Sequence, residues 1–476
     1  MPFLIVILIL STVFFITLFL CAAQKKFRAR KLVGEHPSFS PEELAVYGQT
    51  MQKMLQCKTV SVKGSFDDAE FQKLRGTVEE CFPILHQKAE RMIFSQDCWI
   101  YKIPGKDPNR NIMLMSHHDV VEAGEGWTKD PFSGQIEEEK IYGRGAADTK
   151  GSLCAILFAA EQLLKEGFRP EVNLYIGSSH NEELGGDGIP SALKYFQQQG
   201  IQFEVILDEG GAIIDPPLGN MRCEKCAMVA VHEKGRCKVT CTASWESSHV
   251  SLTGYKNNPV ERMAGFIQDI SSKPPFHTSL NPQTKEMFAQ LAPYCGFPMN
   301  ILFSNLWCFQ GIIRKVLPKI NATAGGMIGT TCAFQTVEGG TTEKTCKATA
   351  MLRNINEDDL EEDLIAFRKV AEKYGITVEI ERREYYAPAT MDSPAYRYTM
   401  NCLSKVFPRY PAAPYILPAG TDAWKLTPIC SCVLRFAPTR MSAKQLASIH
   451  AADENLDISA IAEAAAFYKH FVKHYI

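Results

Sequence analysis

The stretch Asn111-Ile-Met-Leu-Met-Ser-His-His-Asp119 decides the fold, because a short apolar run of strand length leads directly into polar residues. Two further apolar runs follow at residues 171–177 and 203–207. Between these runs lie helical patterns at 151–166 and 189–199, each followed by a glycine that stops it. Strands that alternate with helices predict an α/β fold, with a mostly parallel sheet covered by helices on both faces.

The polar residues at the strand ends form a candidate site, because ligands of open parallel sheets bind outside the carboxyl ends of the strands. The segments there are His117-His118-Asp119, His180-Asn181-Glu182-Glu183, Asp208-Glu209, and Asp148 within the glycine-punctuated loop 143–151. Imidazole and carboxylate ligands suit zinc, and a shared carboxylate can bridge two ions. Each segment alone is more typical of a hydrogen-bonded turn or a solvated loop. The prediction of a metal site therefore depends on the four segments occurring together, each at a strand end or in the loop before a helix.

A different pattern begins near residue 234. Strand-like segments at 238–243 and 347–353 flank helical runs at 260–270 and 358–374, which predicts an α+β lid domain inserted into the first domain. The predicted organisation is an anchor or signal segment at 1–24, a catalytic domain in two parts at 40–233 and 387–476, and the lid domain at 234–386. A chain of 476 residues also exceeds what one hydrophobic core usually organises.

The composition is that of an ordinary globular protein, with 46% hydrophobic and 22% charged residues. The formal net charge is -2 at pH 7. Binding to nucleic acid needs a concentrated excess of Lys and Arg, so the sequence argues against a nucleic-acid partner. A small-molecule substrate is the better expectation.

The N-terminal segment carries no charged side chain from Phe3 to Ala23, which is long enough to cross a bilayer as a helix. We expect a single-pass membrane anchor; the alternative is a signal peptide cleaved after the small residues Cys21-Ala22-Ala23, which gives a secreted form. The basic flank at 25–31 favours a cytoplasmic location for the following chain. The sequon Asn321-Ala-Thr323 matters only outside the cytosol, so the side of the membrane stays open.

The 16 cysteines are scattered through apolar segments, and most are interpreted as buried thiols. One cluster, Cys223, Cys226, Cys237 and Cys241, has an alternative interpretation as a tetrahedral zinc knuckle. The last two lie in a strand-like stretch, which disfavours that geometry. Whether the four form any bond or metal site stays open.

The ordered motifs resemble one family. They are Ser116-His-His-Asp-Val-Val121, Gly143-Arg-Gly-Ala-Ala-Asp-Thr-Lys-Gly151, Asn181-Glu-Glu-Leu-Gly-Gly186, Leu207-Asp-Glu-Gly-Gly211, Gly420-Thr-Asp422 and Ile449-His-Ala-Ala-Asp-Glu454. Together they are similar to the cocatalytic dizinc exopeptidases and amidohydrolases that include aminoacylase and carboxypeptidase S. The resemblance covers nearly everything after residue 40. Residues 228–339 are most similar to the branch with carboxypeptidase S and the N-fatty-acyl-amino-acid synthase/hydrolase.

The resemblance implies a set of site residues. The implied ligands are Asp148 bridging two zinc ions, His117 and Asp208 at one ion, and Glu183 and His450 at the other. Cobalt or manganese also suits such ligands. Glu182 is the implied general base, and Asp119 is expected to orient the imidazole of His117. The His-x-Asp spacing favours His117 over His118 as the ligand.

The resemblance also implies substrate contacts. His249 matches a lid histidine that stabilises the oxyanion and in some members comes from the partner subunit, so a homodimer through the lid domain is expected. Arg353, Gly420 and Thr421 are expected to hold a substrate carboxylate. A surface histidine in a turn and a structural salt-bridge arginine are the alternatives for His249 and Arg353. Two departures from the family are Asn181 in place of Asp and a shortened segment at 337–347.

The sequence thus predicts a metal-dependent amidohydrolase or carboxypeptidase that cuts an amide bond next to a free carboxylate, in short peptides or N-acyl amino acids, with zinc-activated water and Glu182 as base. The alternative is a membrane-tethered binding or scaffold protein with an inactive hydrolase fold. The presence of all five ligands and the base argues against it. A third interpretation, a single-span protein whose acidic residues are solvated turns, predicts no bound metal.

Overall fold

The computed structural model describes residues 2–245, 258–320, 325–340 and 344–476. The strands are β1 (Glu90–Phe94), β2 (Cys98–Ile103), β3 (Asp107–Met115), β4 (Gln135–Glu137), β5 (Lys140–Tyr142), β6 (Val172–Ser178), β7 (Val205–Asp208), β8 (Ile213–Ile214), β9 (Cys226–Glu233), β10 (Arg236–Ser244), β11 (Thr331–Gly340), β12 (Thr345–Arg353), β13 (Ile376–Glu384), β14 (Ala412–Leu417), β15 (Val433–Arg435) and β16 (Asn455–Asp457). The α-helices are α1 (Pro2–Arg28), α2 (Pro41–Leu55), α3 (Asp68–Cys81), α4 (Pro83–Lys88), α5 (Gly151–Lys165), α6 (Gly188–Gln198), α7 (Pro259–Ser272), α8 (Pro282–Leu291), α9 (Met299–Ser304), α10 (Leu306–Ile320), α11 (Glu357–Lys373), α12 (Pro394–Val406), α13 (Ala443–Ser448) and α14 (Ile458–Lys473).

The main sheet has the strand order β1-β2-β6-β3-β7-β15-β9-β14, with β8 paired to β9. Its central strands β6, β3, β7 and β15 run parallel, as the sequence predicts. The pairs β1–β2, β2–β6 and β15–β9 are antiparallel, which the sequence analysis did not anticipate. The reason at the β1–β2 edge is the short link between the two strands, because a short link permits only an antiparallel pair.

Helices flank this sheet. Almost every residue of α5 is buried, and α5 packs against α14 and α4. Helix α2 begins with a capping box in which the side chains of Ser40 and Glu43 each bond the other's backbone N–H. It packs against α3 and α14, while α6 packs on β1 and β2. The core between these elements is continuous, so the strand ends are held on a rigid base.

A second sheet has the order β11-β12-β10-β13 and is antiparallel throughout. Helices α7 and α11 pack on it around Phe266 and Phe367. All of its strands come from the part of the chain between β9 and β14, both of which belong to the main sheet. The sequence analysis predicted β10 and β12 but missed β11 and β13. Both missed strands lie at the sheet edges and are largely exposed, so their apolar pattern is weak.

A third apolar cluster joins α8, α9 and α10 to the main sheet, with Phe288, Phe303 and Ile313 packed towards Met228 of β9. The N-terminal helix reaches this cluster through Leu18 and Ala22. Helix α1 contains a segment, Ile5–Arg28, that is long and apolar enough to cross a membrane by length and composition. The same test is passed by signal sequences.

Candidate metal centre

The candidate site lies where β3, β6 and β7 end. Strand β3 pairs in parallel register with both β6 and β7, so the three carboxyl ends lie at one edge of the sheet. His117 follows β3, and Asp208 is the last residue of β7. Glu182 and Glu183 open the short turn after β6. The three strand-end segments of the sequence prediction therefore meet at one edge of the sheet.

Asp148 lies between two imidazoles. Its Oδ1 is 3.0 Å from Nε2 of His117, and its Oδ2 is 3.0 Å from Nε2 of His450. The same His450 nitrogen is 3.2 Å from Oε1 of Glu183. Each oxygen of one carboxylate thus faces a different histidine, which is the arrangement that a bridging carboxylate needs.

The ligand atoms of His117, Asp148 and Glu183 lie within 4.8 Å of one another, which is close enough to share a metal ion. Asp208 is buried, and its Oδ2 has no hydrogen-bond partner among the described residues. Burial, together with the charge of Asp422, raises the pKa of Asp208 to about 7. A buried carboxylate without a donor is stabilised when a cation takes its free oxygen. The donor set therefore fits divalent metal ions.

Burial and neighbouring charges also shift the pKa values of the other titratable side chains at the site. Burial is the main cause that raises the pKa of Glu182 well above its ordinary value, with Asp422 and Glu183 adding to it. Glu209, which the sequence analysis gave no role, also lines the cavity, and burial raises its pKa in the same way. The carboxylates Asp148 and Glu183 raise the pKa of His450 to about 10. The site is a concentrated cluster of carboxyl groups, and a bound cation would favour their ionised forms.

Asp119 organises both the histidine and the acidic turn. Its Oδ1 lies 3.4 Å from Nδ1 of His117, and its backbone carbonyl lies 3.0 Å from the same nitrogen. The carboxylate also accepts the backbone N–H of Glu182 at 3.1 Å and that of Glu183 at 3.2 Å. Ser61 donates to it at 2.6 Å. This second role, fixing the backbone of the acidic turn, was not foreseen from the sequence.

His118 lies in the core instead of beside Asp148. Its ring stacks on Trp99 with centroids 4.9 Å apart, and its Nδ1 is 2.8 Å from Oγ of Ser178. Adjacent residues at a strand end point to opposite sides, so only one of the two histidines can face Asp148.

Glu454 is a residue whose role the sequence analysis missed, although it ends the quoted Ile-His-Ala-Ala-Asp-Glu motif. It is fully buried, and one of its oxygens accepts the backbone N–H groups of Ala147 and Asp148 at 2.8 and 3.1 Å. The other oxygen accepts from Arg144 at 2.6 Å. Glu454 therefore ties the loop of Asp148 to the loop of His450.

Two adjoining cavities open at the site and share Glu182, Glu183, Gly420 and Thr421. One, of about 370 Å³, has a mainly apolar wall that includes Leu417, Met441, Leu446 and Ile449. The other, of about 330 Å³, is polar and is lined by Arg236, Arg382, Asp422 and Lys425. The site thus offers an apolar side and a charged side to one substrate.

The predicted carboxylate-binding residues are only partly brought together. Gly420 and Thr421 line both cavities, and Glu233 accepts the backbone N–H of Thr421 at 2.9 Å. Arg353 instead donates to the backbone carbonyl of Pro418 at 2.8 Å and lines neither cavity. Arg236, which the sequence analysis did not single out, lies against Gly420 so closely that a Cβ there would be 2.0 Å from its Nη2.

Arg236 has no ion-pair or hydrogen-bond partner within the described part of the chain, and its Nε is buried. In the sequence, Arg236 is a single basic residue at the start of a strand-like stretch. Such residues are too common to indicate a role in a binding site. His249 lies outside the described residues.

The four cysteines of the possible zinc knuckle divide between two cores. Cys223 and Cys226 have sulfur atoms 3.5 Å apart beside the α8–α10 cluster. Cys237 and Cys241 are buried in the core of the second sheet. This division opposes the knuckle interpretation.

An open α/β sheet with histidine and carboxylate side chains gathered at its strand ends is an arrangement found in metal-dependent hydrolases. The chain belongs to peptidase family M20/M25/M40, whose family model matches residues 113–474. The resemblance seen in the sequence is thereby confirmed, and the chain is a metal-dependent hydrolase of this family.

Curated relatives agree with this assignment. "Probable carboxypeptidase S-like 2" of Dictyostelium discoideum is 30% identical over 90% of this chain and 84% of its own length. The N-fatty-acyl-amino acid synthase/hydrolase of Homo sapiens is 27% identical over 90% of this chain and 88% of its own.

Solved structures share the fold. An M20 family metallo-carboxypeptidase from Sulfolobus solfataricus gives a TM-score of 0.64 at 19% identity, over 90% of this chain and 98% of that one. Human carnosine dipeptidase 1 gives 0.63 at 13% identity, over 90% and 96%. A Bacillus subtilis protein described as a dinuclear metal binding peptidase from this family gives 0.55 at 11%, over 90% and 98%. The predicted α/β fold is confirmed.

Proposed function

We propose that this chain hydrolyses an amide bond next to a free carboxylate, in short peptides or N-acyl amino acids, at two zinc ions. The observation that carries the proposal is Asp148, whose two carboxylate oxygens each lie 3.0 Å from a different histidine. The curated relatives, a carboxypeptidase S-like protein and an N-fatty-acyl-amino acid synthase/hydrolase, support the substrate class. Cobalt or manganese is an alternative occupant of the same ligands.

In this proposal Asp148 would bridge the two ions, His117 and Asp208 would hold one of them, and Glu183 and His450 would hold the other. When bound, the ions supply Lewis acidity, which polarises the scissile carbonyl and lowers the pKa of water. Glu182 takes a proton from the attacking water and then delivers it to the leaving amine. Burial raises the pKa of Glu182, and a raised pKa favours the transfer of a proton from water to this carboxylate.

The substrate is oriented by its two ends. Gly420, Thr421 and a neighbouring arginine, Arg236 or Arg353, hold its carboxylate on the polar side of the site. The acyl or peptide side extends along the apolar wall. His249, carried by a lid domain at 234–386 and supplied by either subunit of a homodimer, remains our proposal for the oxyanion donor.

The alternative, a tethered scaffold with an inactive site, is not favoured, because each proposed ligand and the base are present. We also keep the single-pass N-terminal anchor as a proposal, with a secreted form as its alternative. It is supported by the apolar length of α1.

The deciding experiment measures metal content by elemental mass spectrometry, together with hydrolysis of dipeptides and N-acyl amino acids before and after chelation. We expect about two zinc ions per chain and cleavage that chelation abolishes and zinc restores. Cleavage that persists after complete metal removal would sink the proposal. Two bound ions without cleavage of any substrate would favour the scaffold.

A further inference from the structure

The loop before β9 carries two cysteines, Cys223 and Cys226, whose sulfur atoms lie 3.5 Å apart. Cys226 is the first residue of β9 and is completely buried, whereas Cys223 is partly exposed. Neither cysteine lines a cavity of the metal centre. The pair is therefore a feature separate from the proposed active site, and reagents in solution reach it through Cys223.

The loop is anchored on both sides of the pair and between its members. Before the pair, the backbone N–H of Arg222 donates to the carbonyl of Tyr294 at 2.7 Å. At its end, Cys226 pairs with a residue of β8. Between the two cysteines, the amine of Lys225 donates to the backbone carbonyl of Met441 at 3.0 Å. These contacts hold the backbone of the loop in place, so the two sulfur atoms stay neighbours.

The two thiols differ in acidity. The thiol of Cys226 donates a hydrogen bond to the sulfur of Cys223, which lowers the pKa of Cys223 and raises the pKa of Cys226. Burial adds to the raised pKa of Cys226, and burial alone is the main cause that raises the pKa of Cys154 and of Cys430. The thiolate is the form of cysteine that attacks a disulfide. Cys223 is therefore the nucleophile of the pair.

Two other partners for Cys223 are disfavoured. Cys295 lies in the same apolar cluster, but its own thiol donates to the backbone carbonyl of Leu291 at 3.5 Å. A structural metal ion would need further ligands beside the two sulfur atoms. The described residues bring three such side chains together at the candidate metal centre, not here. Cys226 is therefore the partner that the geometry offers to Cys223.

Oxidation of the pair is balanced by a small disulfide such as glutathione disulfide. The thiolate of Cys223 attacks one sulfur of that molecule, which forms a mixed disulfide and releases one glutathione thiolate. Cys226 then gives up its proton to water and attacks the sulfur of Cys223, and the second glutathione leaves as a thiolate. The protein dithiol loses two electrons and two protons, and glutathione disulfide becomes two molecules of glutathione.

We propose that Cys223 and Cys226 form a redox-active dithiol site, at which a small-molecule disulfide of the glutathione type converts the pair into an intramolecular disulfide bond. Cys223 is the attacking thiol, and Cys226 is the resolving thiol that closes the bond. The motif with an alternative interpretation as half of a zinc knuckle is thereby assigned to thiol chemistry. The site does not use the metal centre, so this inference stands or falls independently of the hydrolytic function.

The test uses the full chain in detergent micelles, first reduced and then incubated with glutathione disulfide as the probe. Free thiols are trapped with N-ethylmaleimide before digestion. Trypsin cleaves after Lys225, so the proposed bond joins two separate peptides, which mass spectrometry identifies. We expect Cys223 and Cys226 to lose their labels together and to appear as this linked pair. Cys430 and Cys432 are the matched control, since both are buried with raised pKa values, and they should keep their thiols.

Two single variants separate the roles of the two thiols. We expect Cys226→Ser to accumulate glutathione on Cys223, because no resolving thiol is left, and Cys223→Ser to leave Cys226 as a free thiol. Cys223→Ser changes a partly exposed side chain, so it keeps the test valid where Cys226→Ser disturbs the buried cluster. A bond from Cys223 to Cys295, stable glutathione on Cys223 of the unsubstituted chain, or full labelling of both cysteines in excess glutathione disulfide would overturn the proposal.

Discussion

Asp148 is the residue on which both proposed ions depend, because its two oxygens face different histidines. We expect Asp148→Ala to lose both ions, since neither half-site keeps its bridging ligand. Asp208→Ala is the matched control and should lose about one ion, because Asp208 belongs to one site only. Elemental mass spectrometry of the purified variants measures the stoichiometry. Two ions retained in Asp148→Ala would contradict the bridging role.

Glu182 and Glu183 are neighbours with different proposed tasks, so the same substitution separates them. We expect Glu182→Gln to keep its metal and to lose about 10²- to 10⁴-fold in kcat, the usual contribution of a general base. Glu183→Gln should lose metal as well as activity. Metal content and kcat are measured on both variants. Undiminished turnover in Glu182→Gln would remove this residue from the mechanism.

Arg236 is our prediction for the residue that senses the substrate carboxylate, because it lines the polar cavity without a partner. We expect Arg236→Ala to raise KM for N-acyl amino acids about 10- to 100-fold, the usual loss when a hydrogen bond to a charged group is removed. The matching C-terminal amides should be unaffected. Arg353→Ala is the control, since Arg353 bonds the carbonyl of Pro418. A larger rise in KM for Arg353→Ala than for Arg236→Ala would instead assign the contact with the substrate carboxylate to Arg353.

The proposed ligands His117, Asp148, Glu183 and Asp208 could be predicted to lie together because they stand at apolar strand ends or in a glycine-rich loop, and strand ends converge in open sheets. His450 follows helix α13, and only the family resemblance indicated it. Arg236 and Glu454 could not be assigned in this way. Their positions beside Gly420 and Asp148 depend on contacts between segments far apart in the chain. Arg353 is the opposite case. It lies in a predicted strand, but its guanidinium donates to the backbone carbonyl of Pro418 and lines neither cavity.

At the scale of elements, the turn between β9 and β10 holds a buried lysine, Lys234. Its Nζ donates to the carbonyls of Gly326 and Gly329 at 2.9 and 2.7 Å. Burial lowers the pKa of Lys234 to about 7, and the charge of Arg353 adds to this. The unfolded chain, with an ordinary lysine pKa near 10.4, therefore binds more protons above pH 7. The free energy of unfolding should rise as the pH increases from about 7 to 10.

We expect Lys234→Met to flatten this rise, because the group that titrates is removed. Lys238→Met is the control, since Lys238 on β10 is a partly exposed partner of Glu381. Urea unfolding at pH 7 and pH 9 gives the slope for each protein. A slope in Lys234→Met equal to that of the unsubstituted chain would refute the assignment.

The strands at 171–177 and 203–207 and the helices at 151–166, 189–199, 260–270 and 358–374 were predicted within one or two residues of their observed bounds, since their apolar patterns are strong. Strand β3 begins four residues before the predicted 111. The strands β9 and β14 were not foreseen, although they pair with each other in the main sheet. Strand β9 is buried along its whole length, so it has no alternation to read, and β14 contains Pro414. Both strands can therefore be identified only from their backbone pairing in the structure.

At the scale of the whole molecule, the buried pair of Arg144 and Glu454 joins the first and last thirds of the chain. We expect Glu454→Ala to lower the free energy of unfolding by about 3–5 kcal/mol, because it leaves a buried guanidinium unpaired. Glu137→Ala is the control, since its ion pair with Lys129 is partly exposed and should contribute at most about 1 kcal/mol. Denaturant unfolding measures both. Equal losses in the free energy of unfolding would show that the buried ion pair of Glu454 contributes no more to stability than a partly exposed one.

The position of His450 and Glu454 after β15 also bears on how the protein is made. A ribosome makes the chain from its N-terminus, so the other proposed ligands emerge before these two residues. The proposed ligand His450 and the buried Glu454, which holds the Asp148 loop, emerge together. We therefore expect a nascent chain that stops before residue 450 to cut nothing, although His117, Asp148, Glu183 and Asp208 are already present.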